Sequence, residues 1–167
     1  MIVIDSSALT KYILREEGWR EVRKYLEEGC VTLDLAIKET INALWKRVLM
    51  GNLDEGYAKE VVRSFLESGI VKVEEQDQLL EEAFSIAVKR KMMVYDSVFI
   101  ALAKKKGLPL LTSDRKQAEV AEEEGVKTIL TWLDVSVSMG EENELERSYF
   151  TLQRLKVLGR SQRITTT

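Results

Sequence analysis

Four acidic residues stand where acids could work together. Asp5 ends a short apolar run, Met1 to Ile4, and two serines follow it. Glu39 lies in LAIKETINAL, Asp96 in VYDSVFIALA and Asp114 in LLTSD. Carboxylates held about 4 Å apart repel by about 4 kcal/mol per pair at an effective dielectric near 20. Such a cluster takes up protons or binds a hard cation. Oxygen-only ligation selects magnesium or manganese over zinc. A divalent ion held this way suits phosphodiester chemistry: it lowers the pKa of a bound water, orients it and stabilises the leaving oxygen.

Composition removes several other chemistries. The 167 residues include no histidine, which excludes Ser-His-Asp and Cys-His catalysis and the usual imidazole base. Cys30 is the one cysteine, so an internal disulfide and a cysteine-built zinc site are excluded. A net charge of −3 and a pI near 5.3 argue against a strongly basic nucleic-acid binder. No run approaches the length of a membrane span, and the start lacks a signal-peptide pattern. The expected location is cytoplasmic, with no membrane partner. At 45% apolar residues the chain can bury a real core.

Each acid also has a structural reading. Asp5 could cap the helix starting at Ser6, Asp96 its own helix, and Asp114 the helix near Lys116. Glu39 could be a solvated surface residue. What favours a shared role is the set of elements that carry them.

Met1–Asp5, Cys30–Thr32, Leu108–Thr112 and Val126–Thr131 read as strands, and Ile70–Val73 as a strand or an extended link. These are apolar runs rather than alternating ones, and helices separate them. That pattern predicts an α/β fold with a mostly parallel sheet covered on both faces. Helices are predicted over Ser7–Leu14, around Trp19–Leu26, Leu33–Met50, Asp54–Ser68, Leu79–Lys89 with Asp77 as cap, Tyr95–Lys106 and Lys116–Glu124. Val98–Ala103 is apolar all round and is expected to be buried. On the long helix, Ile37, Ile41, Leu44 and Val48 are the expected core stripe, while Glu39 and Asn42 share another face. Ligands of open parallel sheets sit beyond the carboxyl ends of the strands. Asp5 and Asp114 both fall there, and Asp96 lies at the start of the buried helix.

In this order and spacing, VIDSSAL, ETINAL and YDSVFIALAKKKGLPLLTSD resemble the signature segments of PIN domains. The resemblance is greatest to VapC-type ribonuclease toxins, and it covers about Met1 to Leu133. It implies that Asp5, Glu39, Asp96 and Asp114 form an acidic quartet holding one or two magnesium or manganese ions. Ser7, Asn42 and Thr112 match the family's supporting polar positions. It also implies endonucleolytic cleavage of RNA, often structured RNA such as transfer RNA. A homodimer is expected, as is a small antitoxin whose C-terminal segment lies across the acidic groove.

An acidic protein must still hold a polyanion. Lys11, Lys38, Lys46 and Arg115 are the basic residues nearest the site in sequence, and Lys11, Lys46 and Arg115 are the expected substrate contacts. Lys104–Lys106 should be distant and serve as a helix terminus. Two domains are expected: 1–133, the nuclease-like domain, and 134–167, an extension that is helical in part. The extension has no counterpart in compact family members. It reads as an added amphipathic helix carrying Leu145, Tyr149, Leu152 and Leu155. Alternatively Arg147, Arg154, Lys156, Arg160 and Arg163 form an RNA-backbone contact. Two rival functions stand beside the nuclease. One is a catalytically weak binding module of the same fold, acting through RNA or protein partners. The other is an aspartyl-phosphate phosphatase, disfavoured because Ser7 stands where a second acid is usual.

Overall fold

A computed structural model describes residues 1–131. The expectations for 134–167 lie outside the described residues. The elements in chain order are β1 (Ile2–Ile4), α1 (Ser6–Ile13), α2 (Trp19–Glu28), β2 (Cys30–Leu33), α3 (Asp34–Leu49), α4 (Glu55–Ser68) and β3 (Val71–Glu74). A 3-10 turn (Asp77–Leu79) leads into α5 (Leu80–Arg90), followed by α6 (Val94–Lys106), β4 (Leu110–Thr112), α7 (Arg115–Glu123) and β5 (Thr128–Leu130). The described residues fall into two compact units, one of residues 1–43 with 71–131, the other of residues 44–70.

The first unit holds a five-stranded sheet in the order β3-β2-β1-β4-β5, with every pairing parallel. Every residue of β1, β2 and β4 is buried. Neighbouring residues on a strand point to opposite sides, so helices must cover both faces of the sheet. The edge strands β3 and β5 are only partly covered. From β1 the chain winds outward through β2 to β3, then returns to the other side of β1 for β4 and β5. The winding therefore reverses between β1 and β4, and the carboxyl ends of those strands open a crevice. Helix α6 packs on β1 and β4, and Ser97 through Ala103 are buried, as the apolar run requires.

The second unit contains α4. Asp54 caps it, accepting from the Tyr57 amide at 2.8 Å. Ala58, Val61 and Phe65 bury one stripe of the helix, at the spacing a 3.6-residue turn demands.

Two local expectations are corrected. On α3 the buried seam is Ala36, Thr40 and Leu44, whereas Ile37, Ile41 and Val48 are half-exposed. Thr40 tolerates burial because its hydroxyl meets that of Thr10 at 3.1 Å. Asp77 does not cap α5. It lies in the 3-10 turn, where backbone bonds such as Leu79 N–H to the Gln76 carbonyl satisfy the free amides.

Lys104–Lys106 behave as a helix terminus. Lys104 binds Glu82 and Glu124, Lys105 binds Gln78, and Lys106 pairs with Glu74. Glu124 also receives Lys89 and Arg90. One nearly buried carboxylate thus joins groups from α5 and α6 to the end of α7. Among the described residues, no helix is long and apolar enough to cross a membrane.

Candidate active site

Asp5 follows β1 directly and is buried at 3% exposure. Its amide donates to the Leu111 carbonyl at 3.1 Å, continuing the β1–β4 pairing past the last strand residue. Its carboxylate caps α1, accepting from the Ala8 amide at 2.9 Å. The capping reading of Asp5 is therefore correct.

The other carboxylate oxygen faces β4. The Thr112 hydroxyl lies 2.7 Å from it. The Ser7 hydroxyl donates to Asp5 at 2.8 Å and accepts from the Ser113 amide at 2.8 Å. The Thr112 oxygen also accepts from the Asp114 amide at 2.9 Å. Sequence reasoning placed Ser7 and Thr112 as supports, and the structure brings both to Asp5.

Asp114 caps α7, accepting from the Gln117 amide at 3.0 Å, with its side chain exposed at the rim. Asp96 is not a cap: α6 begins two residues earlier, with Met93 as cap. It lies in the first turn, where the helix dipole favours an anion, and is half-buried. Glu39 is half-buried on α3 and accepts a hydrogen bond from the Ser6 hydroxyl, so it is not a freely solvated residue. Asn42 is exposed one turn further on.

Charge couples the acids to one another. Burial pushes the Asp5 carboxyl up to about 6, against hydrogen bonds from Ala8, Thr112 and Ser7 that pull it down, and the charge of Asp114 adds to the rise. Asp96 is also pushed above its ordinary value, first by burial and then by the charges of Asp114 and Glu39, with Lys116 opposing. Asp114 thus acts on Asp5, and Asp114 and Glu39 act on Asp96.

In kind, these donors fit a hard divalent cation. They are all oxygen, and both Asp5 and Asp96 hold their protons more tightly than free acids do. In spacing, among the described residues, no group of three or more carboxylates is gathered closely enough to hold an ion.

Gln117 was missed from the sequence. It is buried on α7, with Oε1 2.9 Å from the Thr112 hydroxyl and Nε2 donating to the Asp96 carbonyl at 2.9 Å. It ties the partner of Asp5 to the turn that carries Asp96. A glutamine among the small apolar residues of the α7 face was the available signal. Ser6 and Lys116 were also missed, because their roles depend on long-range neighbours.

The expected substrate contacts fare unevenly. Lys11 is corrected: its side chain is buried and its amine donates to the Thr131 carbonyl at 2.9 Å. Largely buried and turned onto that carbonyl, the amine is not presented to a bound polyanion. Arg115 is exposed at the start of α7, next to Asp114. Lys46 is exposed in the last turn of α3, within the second unit.

A parallel sheet whose winding reverses between β1 and β4, with Asp5 and Asp114 just past the ends of those strands, defines an open α/β class. The PIN domain family model matches residues 2–123, and the chain belongs to that family, as a protein of the VapC type. It is 36% identical over 121 residues to "Ribonuclease VapC3" of Pyrobaculum aerophilum, covering 71% of this chain and 92% of that one. It is 34% identical over 114 residues to "Exonuclease VapC9" of the same organism, covering 68% and 80%. The fold is similar to the crystal structure of PAE2754 from Pyrobaculum aerophilum, with a TM-score of 0.58, 26% identity and coverage of 93% and 96%. The structure of FitAcB from Neisseria gonorrhoeae shares the fold, with a TM-score of 0.56, 19% identity and coverage of 79% and 99%.

Proposed function

We propose that this protein is a metal-dependent endoribonuclease, the toxin of a toxin–antitoxin pair. The observation that carries the reading is the meeting of Asp5 and Thr112 at the carboxyl ends of β1 and β4, with the charge of Asp114 acting on both Asp5 and Asp96 and that of Glu39 on Asp96. The relative named a ribonuclease supports the substrate class.

Asp5 and Asp96 are assigned as principal ligands of one or two magnesium or manganese ions, and Glu39 and Asp114 complete the set. When bound, the ion supplies Lewis acidity toward the phosphodiester. Ser7 and Thr112 hold the Asp5 carboxylate in one orientation. Ser6 holds Glu39 in the same way. With no imidazole in the chain, Glu39 or Asp114 takes the proton of the attacking water. A small antitoxin is the expected protein partner, and the protein works in the cytoplasm.

The test uses the full chain, structured RNA and added magnesium or manganese. Asp96→Asn should abolish cleavage, a loss of about a thousandfold or more, while the fold is kept. Its thermal stability without metal should be unchanged or raised, because a repelled, partly desolvated charge is gone. Wild-type cleavage by that variant would refute the assignment.

A second reading is a catalytically weak binding module. The wide spacing of the carboxylates favours it. Calorimetric titration with manganese separates the two, since a module of that kind binds the ion weakly or not at all.

A further inference from the structure

One hydrogen bond fixes the first turns of α6 and α7 against each other. Gln117 Nε2 donates to the Asp96 carbonyl at 2.9 Å, and Gln117 is buried. The residue before each end of this bond is exposed. Tyr95 precedes Asp96, and Lys116 precedes Gln117. An aromatic ring and an ammonium group thus stand at the two helix starts that carry Asp96 and Asp114.

Neither side chain is held by the fold. Tyr95 is 62% exposed. Val98 and Phe99 lie one turn along α6 on the same side and are buried, so the helix runs past the core at Tyr95 and leaves the ring in solvent. Among the described residues the Tyr95 side chain has no hydrogen bond or ring contact, and Lys116 has no ion pair. Lys38, Lys104 and Lys106, by contrast, are held by acids of their own chain. Burial and the charges of Asp114 and Glu39 raise the Asp96 carboxyl, and Lys116 opposes them. The ammonium is therefore within electrostatic reach of the site.

Every base has a π-face, hidden in a duplex and open in a single strand. An exposed ring can stack on that face, and a lysine can pair with the phosphate of the same strand. We infer that Tyr95 and Lys116 form a subsite for one unpaired nucleotide beside the acids, the ring stacking on its base and the ammonium pairing with its phosphate. The subsite rests on the nuclease reading for its ligand, RNA, and adds that the strand is unpaired where it crosses the start of α6.

Binding is read by fluorescence anisotropy of the full chain with calcium and a short, end-labelled single-stranded RNA. Tyr95→Ala and Tyr95→Leu should each raise Kd about five- to a hundredfold, and Tyr95→Phe should recover most of the loss. Kd for a fully paired duplex of the same sequence should not change in any of the three. A fluorescent purine analogue in the single strand should be quenched by wild type and not by Tyr95→Leu. Lys116→Ala should lower the slope of log Kd against log salt by about 0.7, the share of one phosphate contact on a single strand, and Lys116→Arg should restore it. Three results would overturn the inference: single-strand binding indifferent to Tyr95→Leu, an equal loss on the duplex, or a salt slope untouched by Lys116→Ala. The first would leave the ring to a protein partner. The predicted binding pattern without cleavage in magnesium or manganese would sink the nuclease reading and keep the subsite. Cleavage with none of these losses would do the reverse, and a wild type that binds no single strand would overturn both.

Discussion

The Thr112 hydroxyl stands 2.7 Å from the carboxylate of Asp5, across 107 positions of sequence. One hydroxyl group meets four partners there: Asp5, the Ser7 hydroxyl, the Asp114 amide and Gln117. Thr112→Val keeps the shape and removes all four. It should cost about 1–3 kcal/mol, because buried polar groups lose their partners. Thr112→Ser should recover most of the loss. Urea denaturation checks both, and a valine variant as stable as wild type would count against a structural role for this bond.

Stability without metal should rise as the solution is acidified from neutral. Asp5 titrates at about 6 in the fold and near 3.8 when unfolded. Between these values the folded state holds a proton that the unfolded state lacks, so lowering the pH favours the fold. The full effect of this group is about 3 kcal/mol. The Thr112 hydroxyl has one proton to share among Asp5, Gln117 and Ser7, so a proton on Asp5 frees it to donate to Gln117. Glu124 acts oppositely. Its three cationic partners hold it at about 2, so its contribution is present above the ordinary glutamate range and lost as pH falls toward 2. Thermal unfolding in chelator should therefore show a maximum near pH 4, where the two effects cancel, and Asp5→Asn should flatten its neutral side. A wild-type curve already flat between pH 5 and 7 would contradict the raised Asp5 value.

Gln117 needs both ends of its amide, an acceptor toward Thr112 and a donor toward the Asp96 carbonyl. Gln117→Leu should lower kcat about ten- to a hundredfold with little change in KM, as loss of a supporting contact does. Gln117→Glu should not rescue it, because a carboxylate cannot donate to that carbonyl. Full kcat in the leucine variant would remove Gln117 from the positioning role.

Lys11 distinguishes a structural amine from a phosphate contact. Lys11→Met should destabilise the protein by about 1–2 kcal/mol by leaving the buried Thr131 carbonyl unbonded. The salt dependence of RNA binding should not change. A slope reduced by about one counterion would restore Lys11 to the substrate contacts.

Much of this protein is set by its linear order. Apolar strand runs alternating with helices dictate a covered parallel sheet, and such a sheet sends Asp5 and Asp114 to one edge by geometry alone. The all-apolar stretch of α6 dictates a buried helix with Asp96 at its mouth. The missing histidine leaves the acids as the chemical groups. Side-chain fate was decided by tertiary packing. Lys11 lies on α1, and nothing in its neighbours in sequence says that Thr131 will cover it. Gln117 and Ser6 gain their roles from residues on other elements. The proton affinities of Asp5 and Asp96 depend on burial and on charges brought close only by folding. Periodicity reports which face a residue takes; which partner meets it there depends on contacts between distant segments, and those exist only in the folded chain.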